Sequence, residues 1–371
     1  MPADFPGADR RHARPHHRTY RGLLTMTSSV RSDRVQARIL DIAGFLPEQV
    51  LTNEQLAALY PEWPADKILA KTGIQQRHIA AAGQTAADLA YEAARNLFAQ
   101  GSVNAQDVDF VILCTQAPDY VLPTSACLLQ DRLGISTHAG ALDVNLGCSG
   151  YVYGLSLARG LVETGAARCV LLLTADTYSK YVHPLDKSVR TLFGDGATAT
   201  AITASTNGDA SIGPFVFGTD GRGAQNLIVK AGLFREPKNA QSALETQDAS
   251  GNVRTDEHLY MNGAEVMAFS LAEVPKAATS LLEKAGMDRE EIDFFVLHQA
   301  NRFMLEALRK KMKVPEAKFP ILMEQCGNTV SSTVPLALKQ MKDDGLLQHG
   351  SRLMLLGFGV GYSWAGCLVT Y

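Results

Sequence analysis

A cysteine near the middle of this sequence stands where nucleophilic chemistry is possible. Cys148 lies in the run Asp143-Val-Asn-Leu-Gly-Cys-Ser-Gly, where a strand ends and a glycine-flanked turn begins an apolar helix. The partial positive charge at a helix N-terminus lowers the pKa of a thiol from its usual value of about 8.5. A lone cysteine is more often an inert core residue, but this setting predicts a thiolate nucleophile at neutral pH.

Two polar residues in the second half of the chain are candidates to assist that cysteine. His298 follows the apolar run Phe294–Leu297, at the type of strand end where the active sites of α/β sheets gather. Asn328 follows Gly327, a setting that by itself is typical of a turn or a helix N-cap. Each residue alone is ambiguous, because a buried histidine is structural about as often as it is catalytic.

An internal repeat supplies the elements that must position these side chains. Residues 107–115 (DVDFVILCT) match residues 291–299 (EIDFFVLHQ) at an offset of 184, and residues 167–173 match residues 351–357 at the same offset. Short apolar runs that alternate with helical segments predict parallel strands buried on both faces. We expect each half to run strand, helix, strand, helix, strand, and the three candidate side chains to meet near a pseudo-twofold axis.

Composition limits the class of protein. The 371 residues are 46% hydrophobic and 20% charged, which is typical of a globular chain with a large core. No apolar run reaches the roughly 18 residues of a membrane span, and a net charge of -3 gives no basic field for nucleic acid. Six cysteines without a CxxC pair argue against a disulfide framework or a zinc ribbon and favour the cytoplasm.

The first 34 residues differ in charge from the rest of the chain. Seven arginines against three aspartates give residues 1–34 a net charge of +4, so the remaining chain carries -7 of the total of -3. The apolar stretch in this segment is too short for a secretory signal. We expect a basic disordered extension at 1–34, an N-terminal half at 35–210 with the nucleophile, and a C-terminal half at 211–371 with the histidine and asparagine.

Five motifs occur in order along the chain. They are Gly-Cys-Ser-Gly around Cys148, Leu192-Phe-Gly-Asp-Gly-Ala197, His298-Gln-Ala-Asn301, Gly327-Asn328-Thr329 and Gly357-Phe-Gly-Val-Gly-Tyr-Ser-Trp364. Together they resemble the beta-ketoacyl-(acyl carrier protein) synthase III family of the thiolase superfamily, and the similarity covers residues 36–371. The resemblance implies an α/β fold of the thiolase type, with duplicated halves and buried mixed sheets layered αβαβα.

The resemblance also implies a reaction. Members of the family take an acyl group from coenzyme A onto the cysteine and condense it with a carbanion formed by decarboxylation of a malonyl thioester. Cys148 would be the nucleophile, and His298 and Asn328 would donate hydrogen bonds to the malonyl thioester oxygen. The backbone N–H groups of Cys148 and Val360 would form the oxyanion hole. The chemistry implies no metal and no redox cofactor, since the coenzyme A thioester is a substrate.

Further residues correspond to the substrate-binding positions of the family, namely Lys71, Leu122, Lys187, Asn301 and Phe303. The two lysines keep positive charge where arginines that contact phosphate are expected. Phe303 stands where prototypical members have an arginine. Leu122 falls where the family has a side chain that gates the acyl pocket across a homodimer interface, so we expect a pocket that admits acyl groups other than acetyl.

A basic cluster follows His298. Arg302, Arg309, Lys310 and Lys313, with Lys311 between them, lie on the helix predicted to begin near residue 301. A charge run is usually a solvated helix face, but the carrier proteins of this chemistry are acidic and the body of this chain is also acidic. We therefore expect the helix to dock malonyl-acyl carrier protein.

Three alternatives compete with a condensing enzyme. An acyltransferase could move the acyl group from cysteine to an alcohol or amine, but it would not need Asn328. A non-catalytic partner subunit typically lacks the nucleophile, which Cys148 supplies. A biosynthetic thiolase uses a second catalytic cysteine near the C-terminus, whereas Cys367 lies within an apolar run typical of a core strand.

Overall fold

Two mixed β-sheets carry the fold. The computed structural model describes residues 35–205 and 210–371, and the predicted basic extension, residues 1–34, lies outside these ranges. The strands are β1 (Ala37–Phe45), β2 (Gln49–Thr52), β3 (Gln76–Ile79), β4 (Phe110–Cys114), β5 (Gly140–Val144), β6 (Cys169–Asp176), β7 (Gly196–Ala204), β8 (Ser211–Thr219), β9 (Leu227–Ile228), β10 (Thr246–Gln247), β11 (Val253–Arg254), β12 (Tyr260–Met261), β13 (Phe294–Leu297), β14 (Arg352–Gly359) and β15 (Ser363–Thr370). The helices are α1 (Asn53–Leu59), α2 (Ala65–Thr72), α3 (Ala86–Ala99), α4 (Ser125–Arg132), α5 (Gly150–Glu163), α6 (Lys187–Arg190), α7 (Gly263–Ala285), α8 (Arg302–Met312) and α9 (Thr333–Asp343).

The two sheets repeat one topology. The first has the strand order β1-β7-β6-β4-β5 and the second has the order β8-β15-β14-β13. In the first sheet β4 is parallel to β6, and β6 is antiparallel to β7. In the second sheet β13 is likewise parallel to β14, and β14 is antiparallel to β15. The predicted repeat is therefore confirmed. The first sheet takes its strands from residues 37–204 and the second from residues 211–370.

Helices fill the space between and outside the sheets. The helix α5 contacts strands of both sheets, as does α9, so these two form the central layer. The helix α3 covers the outer face of the first sheet and α7 covers that of the second. The apolar strands β4 and β6 are buried because helices cover both their faces. The predicted αβαβα layering is confirmed. Among the described residues, no helix is long and apolar enough to cross a membrane.

The second half lacks the middle strand that the repeat predicts. Between α8 and α9 the structure has no strand, so this part of the prediction is wrong. The backbone of the segment is hydrogen-bonded elsewhere: Leu322 N donates to Gln299 Oε1 at 2.8 Å, and Asn328 N donates to Leu192 O at 2.9 Å. Because backbone polar groups must find partners, a segment already bound to loops and a side chain is not free to form a sheet edge.

The polar, glycine-rich segment at 220–262 is a long excursion between β8 and α7. It forms two small two-stranded sheets, β9 with β12 and β10 with β11. The segment is bound to the loop after β6, because Arg254 Nε lies 2.7 Å from Asp186 Oδ2 and Leu259 N donates to Tyr181 O at 2.8 Å. Both charged side chains of that ion pair are largely buried, so water does little to weaken it.

Two of the three glycines on α5, Gly154 and Gly160, test how tightly the central helix is packed. A Cβ at Gly154 would lie 2.6 Å from Leu172 Cδ1 on β6, whereas a Cβ at Gly160 would meet nothing within 4 Å. We expect Gly154→Ala to lower the free energy of unfolding by about 1–3 kcal/mol through overpacking. Gly160→Ala should raise it by about 0.5–1 kcal/mol through helix propensity. Urea denaturation measures both, and equal effects of the two substitutions would contradict a close-packed central helix.

Candidate active site

Cys148 lies between β5 and α5, two residues before the first residue of α5. The side chain is buried, and its Sγ lies within hydrogen-bond reach of the backbone N–H groups of Cys148 and Val360. A Cβ at Gly359 would lie 2.9 Å from Sγ, which is closer than the Cβ atoms of real residues lie to any neighbouring heavy atom. Glycine at position 359 therefore lets the C-terminal loop bring the Val360 N–H up to the sulfur.

The protonation state of Cys148 differs from the sequence prediction. Burial, together with the negative charge of the nearby Asp176 carboxylate, raises the pKa of the Cys148 thiol to about 12, although the two backbone N–H groups oppose both effects. The prediction of a thiolate at neutral pH is therefore wrong for the free enzyme. The loss of water around the charged sulfur outweighs the helix N-terminus. The thiol proton must leave during acyl transfer.

Asp176 is a buried carboxylate that sequence reasoning missed. It ends β6 and accepts a hydrogen bond from Gln116 N at 2.8 Å, and from the hydroxyl and backbone N–H of Ser331. Burial raises the pKa of Asp176 to about 7, although these hydrogen bonds lower it. The side chain connects the loop after β4 to the segment after Asn328. The strand-end rule that selected His298 applies equally to Asp176.

Arg77 is a second residue that was not assigned a role. It lies in the run Thr72-Gly-Ile-Gln-Gln-Arg-His78 and is fully buried. Its Nε donates to Thr191 O at 3.0 Å and its guanidinium also binds Asn53 Oδ1. Because Thr191 immediately precedes the Leu192–Ala197 motif, Arg77 supports that loop rather than a substrate.

His298 follows β13 and is held by β14. Its backbone N donates to Leu356 O at 2.8 Å, and its ring meets the ring of Phe358 edge-on with centroids 5.6 Å apart. The ring atom Nδ1 lies 2.7 Å from Thr333 Oγ1. Burial lowers the pKa of His298 to about 3, so the imidazole is neutral at physiological pH.

Asn328 is oriented by the residue two positions along the chain. Its Oδ1 accepts a hydrogen bond from Val330 N at 2.9 Å. No residue in the described part of the chain accepts a hydrogen bond from its Nδ2. The fixed amide oxygen therefore leaves the unpaired N–H donor of a largely buried residue for a substrate.

The structure brings the three candidate residues together around the end of β14. Phe358 contacts the ring of His298, and Gly359 lies against Cys148 Sγ. Asn328 lies two residues before Val330, and Val330 packs beside the residue that precedes Cys148. A Cβ at Gly147 would lie 3.2 Å from Val330 Cγ1. A thiol nucleophile, a neutral imidazole and an amide donor thus share one buried locus.

The five predicted substrate-binding residues lie in different settings. Lys71 is exposed at the end of α2, with its Nζ 5.6 Å from the centroid of the Trp63 ring. Leu122 and Phe303 are exposed apolar side chains, at 79% and 68% of their accessible surface. Asn301 is the N-cap of α8, because its Oδ1 accepts from the backbone of the first turn.

Lys187 does not offer the free positive charge that the sequence suggested. The side chain is buried, with its Nζ 3.0 Å from Glu62 Oε1 and 2.7 Å from Ser250 O. The ammonium joins the loop before α2 to the excursion at 220–262. A phosphate could reach this lysine only in competition with Glu62.

The predicted docking helix is α8, and its cations are not equivalent. Lys310 and Lys313 are exposed, as is Arg302, which lies 3.4 Å from Glu324. Arg309 is largely buried and lies 2.7 Å from Glu306 Oε2, so its charge is neutralised. The expectation that Arg309 belongs to a free basic surface is corrected by this ion pair.

The arrangement of two mixed sheets, two central helices and a buried Cys, His and Asn defines a condensing enzyme of the thiolase superfamily. Comparisons with known proteins agree. A family model for 3-oxoacyl-[acyl-carrier-protein] synthase III matches residues 142–221, and the model for its C-terminal part matches residues 282–371.

Curated relatives and solved structures match nearly the whole chain. The chain is 34% identical to a beta-ketoacyl-[acyl-carrier-protein] synthase III of Caldanaerobacter subterraneus, over 91% of this chain and 99% of the relative. A crystal structure of a 3-oxoacyl-(acyl-carrier-protein) synthase III is 80% identical, covers 91% of this chain and 100% of that one, and has a TM-score of 0.90. A synthase from Burkholderia xenovorans is 38% identical with a TM-score of 0.83, over 90% and 94% of the two chains.

The chain belongs to the beta-ketoacyl-acyl carrier protein synthase III family. It is an acyltransferase of the condensing type, as the sequence motifs predicted.

The charge of Asp176 should govern the reactivity of Cys148. Removing the carboxylate in Asp176→Asn should lower the pKa of the thiol, because the negative charge raises it. At pH 8.5 we expect alkylation of Cys148 by iodoacetamide to become about 3- to 10-fold faster, which corresponds to half to one pKa unit. At pH 6 the difference should shrink, because the pKa of Asp176 is about 7 and wild-type Asp176 is then mostly neutral. Mass spectrometry of digests measures the rate.

Two controls make this measurement specific. The exposed Cys127 reports reagent reactivity within the same protein. Asp195→Asn removes another buried carboxylate, which binds Ala80 N and Ser179 and is not among the groups that shift the pKa of the Cys148 thiol. Equal alkylation rates of Cys148 in wild type and Asp176→Asn across this pH range would contradict the electrostatic link.

Proposed function

We propose that the enzyme transfers an acyl group from acyl-coenzyme A to Cys148 and condenses it with the carbanion from malonyl-acyl carrier protein. The products are free coenzyme A, carbon dioxide and a beta-ketoacyl thioester on the carrier protein. The observation that carries this proposal is the buried Asn328 amide, whose oxygen is fixed by Val330 N and whose Nδ2 is left to donate. An enolate oxygen is the acceptor that such a donor stabilises.

The first half-reaction is acyl transfer. Cys148 Sγ attacks the thioester carbonyl, and the thiol proton leaves with the coenzyme A thiol, so that one thioester replaces another. The backbone N–H groups of Cys148 and Val360 face the sulfur and would stabilise the oxyanion that forms on the attacked carbonyl. Covalent chemistry of this kind requires neither a metal nor a redox cofactor.

The second half-reaction is decarboxylative condensation. As carbon dioxide leaves the malonyl group, negative charge moves to the thioester oxygen, where His298 Nε2 and Asn328 Nδ2 would donate hydrogen bonds. The low pKa of His298 keeps the ring neutral, so it donates a hydrogen bond without delivering a proton to the carbanion. The carbanion then attacks the acyl carbonyl, and Cys148 leaves as a thiolate that regains a proton.

The alternatives fit the site less well. Acyl transfer to an alcohol or amine forms no enolate, so that reaction would not need a hydrogen bond from Asn328. A non-catalytic partner subunit has no need for Cys148 in a prepared oxyanion hole. A thiolase needs a second reactive cysteine, and Cys367 is fully buried within β15, where burial raises the pKa of its thiol.

The remaining substrate contacts follow from the setting of each residue. Lys71, exposed beside Trp63, is placed to contact a phosphate of coenzyme A, whereas Lys187 could contribute only after release from Glu62. Asn301 orients the start of α8, which presents Phe303 to the thioester chain.

Assembly and location complete the proposal. The consecutive apolar side chains Tyr120, Val121 and Leu122 are all exposed, and a second copy of the chain would cover them. Leu122 would then gate the acyl pocket of the partner in a homodimer. All six cysteines are free thiols, which supports a cytoplasmic location.

The two half-reactions should separate by mutation. Cys148→Ala should accept no acyl group from acyl-coenzyme A, whereas His298→Ala and Asn328→Ala should still acylate Cys148. Each of the latter two should lose about 10²- to 10³-fold in malonyl decarboxylation and condensation. Intact-protein mass spectrometry measures acylation and release of labelled carbon dioxide measures decarboxylation. Acyl groups on another cysteine, or a folded Asn328→Ala enzyme with normal condensation, would refute the assignment.

The basic face of α8 should determine affinity for the carrier protein. Reversing Lys310 and Lys313 to Glu should raise the apparent KM for malonyl-acyl carrier protein by about 3- to 10-fold at low salt, because local charge accelerates association. Acylation from coenzyme A should change less. The matched control reverses Arg95 and Arg168, which are exposed elsewhere and give the same change in net charge. Equal effects of both pairs would reject α8 as the docking surface.

A further inference from the structure

Thr333, the first residue of α9, is the hydrogen-bond partner of His298 Nδ1. Its Oγ1 lies 2.7 Å from His298 Nδ1, and both side chains are buried. Within residues 35–205 and 210–371, no other side chain or backbone group hydrogen-bonds that ring. A buried ring nitrogen needs a partner, so this contact controls both the orientation of the ring and the position of its proton.

The hydroxyl of Thr333 has one proton and two acceptors within reach. Besides His298 Nδ1, the Val330 carbonyl oxygen lies 3.0 Å from Oγ1. That carbonyl already accepts the backbone N–H of Thr333, whereas Nδ1 has no second partner among the described residues. The shorter distance and the unmet acceptor favour donation to Nδ1. A neutral imidazole that accepts at Nδ1 carries its proton on Nε2.

Val330 joins this contact to Asn328. Its backbone N–H donates to Asn328 Oδ1 at 2.9 Å, and its carbonyl oxygen contacts the backbone and hydroxyl of Thr333. Val330 has φ +56°, a conformation that a β-branched residue adopts only when its surroundings impose it. One residue with a strained backbone therefore contacts both the Asn328 side chain and the threonine that binds the His298 ring.

We propose that Thr333 is a positioning residue that holds His298 in the tautomer with the proton on Nε2. The two donors, His298 Nε2 and Asn328 Nδ2, then serve the same thioester oxygen. This inference rests on the proposed function, in which His298 must donate a hydrogen bond. In the opposite arrangement Thr333 donates to Val330 and accepts from Nδ1–H. That leaves Nε2 as an acceptor opposite an oxygen that is also an acceptor.

The test combines nitrogen NMR with half-reaction kinetics on the full chain. In protein labelled with ¹⁵N-histidine, the His298 signals are assigned by their absence from His298→Ala. Wild type and Thr333→Ser should show a protonated Nε2 and an unprotonated Nδ1 at neutral pH. Thr333→Val keeps the side-chain shape without the hydroxyl, so it should lose this preference. Its malonyl decarboxylation should fall by about 10- to 10²-fold, and acylation of Cys148 from acyl-coenzyme A should change by less than about 3-fold.

Thr329→Val is the matched control. The Thr329 hydroxyl is also buried, lies four residues away and has no hydrogen-bond partner among the described residues. Its removal should leave both the His298 spectrum and decarboxylation unchanged. A Thr329→Val enzyme as defective in decarboxylation as Thr333→Val would indicate general damage to the loop and overturn the inference.

The remaining outcomes separate this inference from the proposed function. A wild-type spectrum with the proton on Nδ1 overturns the assignment of Thr333 without any variant. A folded Thr333→Val enzyme with an unchanged spectrum and unchanged decarboxylation also overturns it. A wild-type enzyme that has its proton on Nε2 but does not decarboxylate malonyl thioesters would refute the proposed function and leave the tautomer assignment intact.

Discussion

Exclusion of water from the space between the two halves is the constraint on which this active site depends. Burial raises the pKa values of Cys148 and Asp176 and lowers that of His298, so each group is biased toward its neutral form. In such surroundings hydrogen bonds from fixed N–H groups are stronger than in water. The thiol and the imidazole thus act as neutral groups among oriented dipoles, and charge develops on them and on the substrate mainly while bonds are being made and broken.

The sequence predicted the architecture well because the helices and strands depend mainly on the pattern of nearby residues. The apolar strands and the glycine-flanked helix start each depend on neighbours in the chain, and the segments matched at an offset of 184 show the same local pattern twice. The missing middle strand of the second half could not be predicted in this way. Its absence arises from hydrogen bonds to distant partners, such as Gln75 N to Glu324 O at 2.8 Å, which no local pattern encodes.

The same distinction applies to the site. Cys148, His298 and Asn328 could be named because glycines or apolar strands mark their positions. The protonation state of the thiol could not, since desolvation is a sum over every element packed around the sulfur. The charges of Lys187 and Arg309 were misjudged for a related reason. Their partners, Glu62 and Glu306, are ordinary surface residue types in the sequence and become significant only when packing places them within 3.0 Å and 2.7 Å.

The central helix layer has a consequence for how the chain acquires its structure. Each of α5 and α9 is covered on one side by the first sheet and on the other by the second. The apolar face that α5 turns toward β14 and β15 therefore has no cover until those strands have been synthesised about 200 residues later. Contacts of such long sequence separation make folding slow. The first half thus passes through a period in which it can aggregate, and molecular chaperones that hold exposed apolar helices would raise the yield of active enzyme.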